Sequence, residues 1–460
     1  MRNDQSVCTN WSDYSRIGMA FTRVVLRSAA TGALGGLLFG FDTAVIAGAT
    51  HALTDHFSLT AWQLGFTVSI ALWGTVAGAL SAGKIGQWLG GRATLQIMAV
   101  LYLLSAVGCA LAWTWPAFLA ARLLGGIGIG GSSVLGPVYI AELAPAEHRG
   151  RLVGLFQINI VVGILLAYLS NFVISTFHTG ALEWRLDFGV SGIPAVFFLL
   201  MLFTIPESPR WLAMQGKGDE ALATLRQLGG KDPEAEFTEI IQSIHVQSSS
   251  KHESLFRRRY RKPIILAVLI AAFNQLSGIN AVLYYLNDIF VSAGFSRVSG
   301  ALQAVVIGFV NLVATLFAMT LIDRLGRRTL LLIGCAGMVV NLAAISIMFA
   351  TGHGTKLLFL VAAYIACFAL SSGAVIWVYM SEIFPNEVRV QGQAMGSTVL
   401  WISNGVISQL FPLFAAKSTS LPFAFFAAVM ALQFVVTLIY FPETKGLSLE
   451  QLQSKLSLEA

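Results

Sequence analysis

AELAPAEHR, at residues 141–149, returns 240 positions later as SEIFPNEVR, at residues 381–389. Glu142, Pro145, Glu147 and Arg149 of the first copy match Glu382, Pro385, Glu387 and Arg389 of the second. Each copy follows a long uncharged apolar run. A charged signature repeated at the exits of two apolar runs marks an internal duplication. In a membrane chain, such a duplication points to two halves with a solute site between them.

Composition places the chain in lipid. Hydrophobic residues make up 56% and charged residues 11% of 460 positions, against roughly 25% charged in soluble domains. A helix needs about 20 apolar residues to cross the bilayer core. Charge-poor runs predict spans near 28–50, 61–83, 94–113, 117–140, 152–174 and 188–205, then 263–286, 299–322, 329–350, 357–380, 391–414 and 421–441. Residues 1–27 and 442–460 are read as tails, and 206–262 as a charged linker between a bundle at 28–205 and a second at 263–441. Within that linker ALATLRQL (221–228) has amphipathic helix spacing. The expected fold is an all-α membrane protein of twelve transmembrane helices in two parallel six-helix repeats, with a short cytoplasmic helical segment between them.

Lys and Arg set the orientation. With the N-terminus cytoplasmic, 24 of the 29 fall in inner segments, and Arg185, Arg297, Lys356 and Lys417 fall outside. Both tails are therefore expected inside the cell, in the plasma membrane. Six crossings separate the two signatures, so both emerge on one face and the repeat is parallel. This placement makes the net charge of +6 a topological and lipid-headgroup feature rather than a nucleic-acid footprint. RRRYRK (257–262) belongs to the same pattern.

Several chemistries find no support. Cys8, Cys109, Cys335 and Cys367 show no paired spacing, and no CxxC or HExxH suggests a metal. GGIGIGG (125–131) contains a dinucleotide-like GxGxxG, but no strand precedes it. In an apolar span its small residues let helices approach closely. The expectation is no enzyme activity, no cofactor and no metal. The sequence leaves the oligomeric state open, with a monomer as the simplest arrangement.

Asp42 lies within span one, where a carboxylate costs roughly 3 kcal/mol or more. Arg122 is the basic residue well inside a span. Two lone opposite charges in one half-bundle are expected to meet. The pair is open to two readings: a static pin between two helices, or a switch. In the switch, Asp42 stays ionised beside Arg122 and takes up a proton when separated from it in an apolar cavity.

A sugar asks for amides that both donate and accept and for aromatic faces with a polar tip. Such groups within the spans are Gln157, Asn274, Gln275, Asn280, Asn311, Trp377, Trp401 and Asn404. Isolated polar residues of this kind also serve as glue between helices. At the exit of span eight, DRLGRRT (323–329) carries Asp323 and Arg327. The matching turn GQWLGGRA (86–93) has Gln87 and Trp88 instead of the acid and first arginine. A helix-end clamp is therefore expected to be weaker in the first half.

Taken together, GGLLFGFD (35–42), the two Glu/Arg signatures, PESPRWL (206–212), NQLSGINAVLYY (274–285), DRLGRR and PETKG (442–446) resemble the sugar porter family of the major facilitator superfamily along the whole chain. The resemblance implies a proton-coupled monosaccharide symporter working by alternating access, with a passive uniporter, a polyol symporter or a non-transporting sensor as alternatives. It places Gln157, Gln275, Asn280, Asn311 and Trp377 at sugar-contacting positions. It also makes Tyr284 and Tyr285 candidates for an outer gate, and Glu142, Arg149, Asp323, Arg327, Glu382 and Arg389 candidates for inner contacts that hold an outward-facing state. Its symporters carry Asp at position 42, where several facilitators carry Asn. Departures are Asn274 for the first of a Gln pair, Leu400 for an amide, and apolar Ile164 one helical repeat after Gln157. Span ten lacks prolines before Trp377, which leaves Gly373 as the expected point of flexibility.

Overall fold

The computed structural model describes residues 22–145, 148–229, 232–249, 254–352, 356–385, 387–445 and 451; the side chains of 246–249 and Asp323 lie outside the description. Cys8, Glu147 and most of both tails also fall outside it. Twelve helices among the described residues are long and apolar enough to cross a membrane. Spans one to six are Arg23–Phe57, Ala61–Leu89, Gly91–Ala110, Trp115–Leu143, Arg149–Thr176 and Gly180–Leu202. Spans seven to twelve are Arg258–Tyr284, Arg297–Ile322, Arg327–Thr351, Leu357–Ile383, Arg389–Lys417 and Leu421–Tyr440. Between the two sets lie helices Pro209–Met214, Gly218–Leu228 and Pro233–Ser249, the middle one containing the predicted amphipathic octad.

The duplication read from the two signatures is visible in the packing. Span one packs on five as seven packs on eleven; two on four as eight on ten; three on six as nine on twelve. Between the halves, span two meets eleven and five meets eight. A shift of six spans converts one of these contacts into the other, as a parallel repeat requires.

Close approach explains the glycine run of span four. A Cβ at Gly126 or Gly130 would run into the carbonyl of Ala71 or Thr75, and one at Gly74 or Gly78 into that of Leu123 or Ile127. Spans two and four therefore touch backbone to backbone, the small-residue packing expected in lipid.

Two matching carboxylates hold the helix starts. Glu207 accepts from the Arg92 N–H at 3.0 Å, at the start of span three. Glu443 accepts from the Arg327 and Arg328 N–H groups at 2.9 and 3.1 Å, at the start of span nine. An anion suits a helix N-terminus, where free N–H groups converge. Gly90 and Gly326, at φ of 91° and 89°, make the turn, and a Cβ on either would strike the carboxylate. Arg92 and Arg328 then reach the carbonyls of Ile205 and Leu438 at 3.0 and 2.6 Å, which ties the ends of spans six and twelve to the same corners.

Span one runs on to Phe57, past its expected end, and spans six, seven and ten depart from their prediction in form. Span seven breaks at Gly278, φ 84°, where the Ser277 hydroxyl takes the Asn274 carbonyl at 2.6 Å. Span ten breaks at Ser371 (φ −122°, ψ −95°), two residues before the glycine expected to supply flexibility. Span six starts eight residues early and draws in Arg185, which was assigned to an outer loop. Its guanidinium bonds the Ala110 carbonyl at 2.8 Å and lies 4.2 Å from the Trp184 ring centre, so its charge is masked.

Burial pushes the Glu443 acid up, but its backbone donors outweigh that and hold it below the usual glutamate range. A depressed acid stabilises the fold above the unfolded value, near 4.3, and loses that contribution as pH falls through the folded value. Glu443→Gln is expected to cost about 1 kcal/mol at pH 7, after allowance for solvent screening. Thermal unfolding in detergent should show the difference from the parent closing as pH drops towards 3.

Candidate functional site

The charges singled out on spans one and four meet. Arg122 Nη1 donates to Asp42 Oδ1 at 2.6 Å, with the arginine side chain 3% and the carboxylate 13% exposed. Beside the pair, a Cβ at Gly125 would strike the Ser105 side chain, so glycine there lets span four close on span three. The guanidinium also lies 5.3 Å from the Phe188 ring centre on span six, a contact that binds a cation without neutralising it.

Asp42 and Arg122 line a small cavity together with Phe39, Tyr284 and Trp401. Val68, Ala71, Leu72 and Thr75 of span two, with Thr43, Ile46 and Ile129, complete the wall. The cavity draws on spans one, two and four of the first half and on spans seven and eleven of the second. The rings of Phe39 and Trp401 sit 5.4 Å apart at 56°, one from each half. Phe39 was not among the expected residues; its signal was position, one helical turn before Asp42.

Amides cluster on the second half. Asn280 Nδ2 donates to Gln275 Oε1 at 2.8 Å, Gln275 Nε2 to Asn274 Oδ1 at 3.0 Å, and Asn274 Nδ2 to the Ser372 carbonyl at 3.1 Å. Asn404 donates to the Tyr284 hydroxyl at 3.2 Å and accepts from Ser408 at 3.1 Å, so it orients a cavity tyrosine. Asn311 is buried on span eight, and Gln157 is half-buried on span five. Trp377 is 43% exposed. Of the eight residues expected to contact a sugar, Trp401 lines the cavity, whereas Gln157, Asn274, Gln275, Asn280, Asn311, Trp377 and Asn404 do not.

Tyr284 and Tyr285 part company. Tyr284 faces the cavity, whereas Tyr285 donates to the Ser408 carbonyl at 3.0 Å and stacks on Phe411 at 5.0 Å. At this end the halves are joined. The Tyr168 hydroxyl reaches the Leu283 carbonyl at 2.8 Å, and Arg297 lies 3.6 Å from Asp55 and 2.7 Å from His51.

At the opposite end the signature residues hold their own halves. Arg327 pairs with Glu382 at 2.9 Å, and the Thr444 hydroxyl bonds the same carboxylate at 2.5 Å. Arg389 donates to the Phe384 carbonyl at 3.3 Å. In the first half Gly91 stands where Arg327 stands in the second, and Glu142 faces Ser208 and Arg210 instead. Arg149, at the start of span five, lies near Glu236 of the linker. The expected role of the Asp323 side chain falls outside the description.

Comparison with known proteins follows the same lines. The sequence model described as "Sugar (and other) transporter" matches residues 28–456. The chain is 37% identical over 457 residues to a glucose transport protein of Synechocystis sp., covering 94% of this chain and 98% of that one. It is 36% identical to the arabinose-proton symporter of Bacillus subtilis, covering 94% of each. Against the D-xylose-proton symporter of Escherichia coli it is 35% identical, covering 92% and 93%. The inward-open structure of the E. coli xylose transporter superposes with a TM-score of 0.84 at 34% identity, covering 94% of this chain and 99% of that one. The structure of the same symporter bound to 6-bromo-6-deoxy-D-glucose gives 0.76, with the same coverage.

Removing one partner of a buried pair strands the other charge, at about 3–5 kcal/mol. Arg122→Leu is therefore expected to lower the melting temperature in detergent sharply, and the double variant Arg122→Leu with Asp42→Asn to recover most of that loss. Additive losses would show that the two groups do not depend on each other.

Proposed function

Since this chain belongs to the sugar transporter family, we propose that it carries a monosaccharide across the membrane together with a proton, by alternating access. The observation that carries this reading is the 2.6 Å Asp42–Arg122 pair in the wall of a cavity shared by the two halves. A sugar presents hydroxyls and flat C–H faces. Gln275 and Asn280 supply donors and acceptors, and Phe39 and Trp401 supply the faces. The relatives named for glucose, xylose and arabinose support the substrate class.

The excess of Lys and Arg on the signature face supports cytoplasmic termini, and the plasma membrane is where a proton gradient can drive uptake. The contacts from Arg297 to Asp55 and from Tyr168 to Leu283 close the end away from the signatures, so this conformation faces inward. The better fit to the inward-open relative agrees with that. The cavity is built from one chain, which suits a working monomer surrounded by lipid.

The cycle follows from the pair. A proton arriving from outside neutralises Asp42 and frees it from Arg122, whose charge Phe188 continues to hold. Sugar then bridges the two halves, which rock about it and open the signature end. There the loss of the proton lets the pair re-form. One charge moving through 100 mV supplies about 2.3 kcal/mol, enough for roughly fifty-fold accumulation at one proton per sugar.

Proteoliposomes test this directly. Adding glucose or xylose outside should alkalinise the external medium with the parent protein. Asp42→Asn should abolish that signal and concentrative uptake, yet retain exchange of labelled for unlabelled sugar. Sugar uptake without proton movement in the parent would reduce the protein to a passive carrier.

A further inference from the structure

The three amides of span seven form a chain with one sense. The Ser372 carbonyl can only accept, so Asn274, 4% exposed, must turn its Nδ2 towards it at 3.1 Å. Its Oδ1 is then left to accept from Gln275 Nε2 at 3.0 Å. That in turn directs Gln275 Oε1 to Asn280 Nδ2 at 2.8 Å. Reversing any amide would place donor against donor or acceptor against acceptor. One backbone carbonyl on span ten thus fixes the orientation of all three side chains. That carbonyl belongs to the residue after Ser371, whose dihedrals of −122° and −95° mark the break in the span.

We propose that Asn274 is a positioning residue and not a sugar ligand: it sets the polarity with which Gln275 and Asn280 meet the sugar, and it ties them to the break in span ten. Both polar ends of Asn274 are used within the protein. What the chain leaves for a substrate is the second N–H of Gln275, together with the Oδ1 and second N–H of the partly exposed Asn280. The hydroxyl pattern that these atoms recognise is therefore specified one residue away from the ligand shell. The ligand half of the proposal rests on the monosaccharide reading above; the link to span ten does not.

Asn274→Leu keeps the side chain's size and removes both the N–H that Ser372 accepts and the Oδ1 that accepts from Gln275, so the relay is cut without burying a charge. Binding of D-glucose and its monodeoxy analogues, read from tryptophan fluorescence, is compared among the parent, Asn274→Leu, Gln275→Leu, Asn280→Leu and the Asn274→Leu/Gln275→Leu double variant. The expected result is an affinity loss of about tenfold or more in Asn274→Leu. The hydroxyls it makes irrelevant should be those already masked by Gln275→Leu or Asn280→Leu, and the double variant should be no weaker than Gln275→Leu alone. A hydroxyl masked by Asn274→Leu and by neither of the others would identify a direct ligand and overturn the proposal. Hydrogen exchange without sugar tests the second half: amides of residues 371–376 should exchange faster in Asn274→Leu, and unchanged rates would refute the tie. If the parent binds no sugar, the transport reading fails, while the exchange measurement still decides the relay.

Discussion

A carboxylate and a guanidinium buried together inside one half-bundle constrain the rest of the molecule. Neither charge could remain alone in a hydrocarbon setting, where an unpaired ion costs several kcal/mol. Their 2.6 Å contact therefore fixes spans one and four in register. Phe188 offers Arg122 a second, weaker partner. Such a pair is stable only while both members are present and charged. The same contact can therefore hold two helices and respond to a proton.

Symmetry of the scaffold does not extend to the chemistry placed on it. The helix pairings repeat after six spans, and Glu207 and Glu443 hold matching helix starts. The cavity is one-sided by contrast: the first half supplies the charges, and the second supplies Tyr284 and Trp401. The two halves touch there through the rings of Phe39 and Trp401. The corners differ too. Arg327 pairs with Glu382, whereas Gly91 at the corresponding place leaves Glu142 to the residues after span six.

Most of the membrane architecture was legible in the residues. Run length, the bias of Lys and Arg and the doubled signature each reflect the cost of placing charge in lipid, a cost paid position by position. The meeting of Asp42 and Arg122 was legible for the same reason, since each had few other partners. Asn274 was singled out as a polar residue in a span, but its identity gave no sign that both its ends would be taken up by Gln275 and Ser372. Trp377 carried the right chemistry and lies off the cavity wall. The carboxylates of PESPRWL and PETKG stood out as motifs without showing that they receive helix N-termini more than 100 residues away.

Order along the chain thus established twelve crossings, a parallel duplication and the identity of the buried charges, because hydropathy and insertion cost are local sums. Folding settled where spans seven and ten break, which amides bond one another, and which aromatic rings face the cavity. Those outcomes depend on distances between helices far apart in sequence, such as Tyr284 with Asn404 and Phe39 with Trp401. A hydrogen bond or ring contact exists only at its own separation and angle, and no pattern along a single strand of residues encodes that separation.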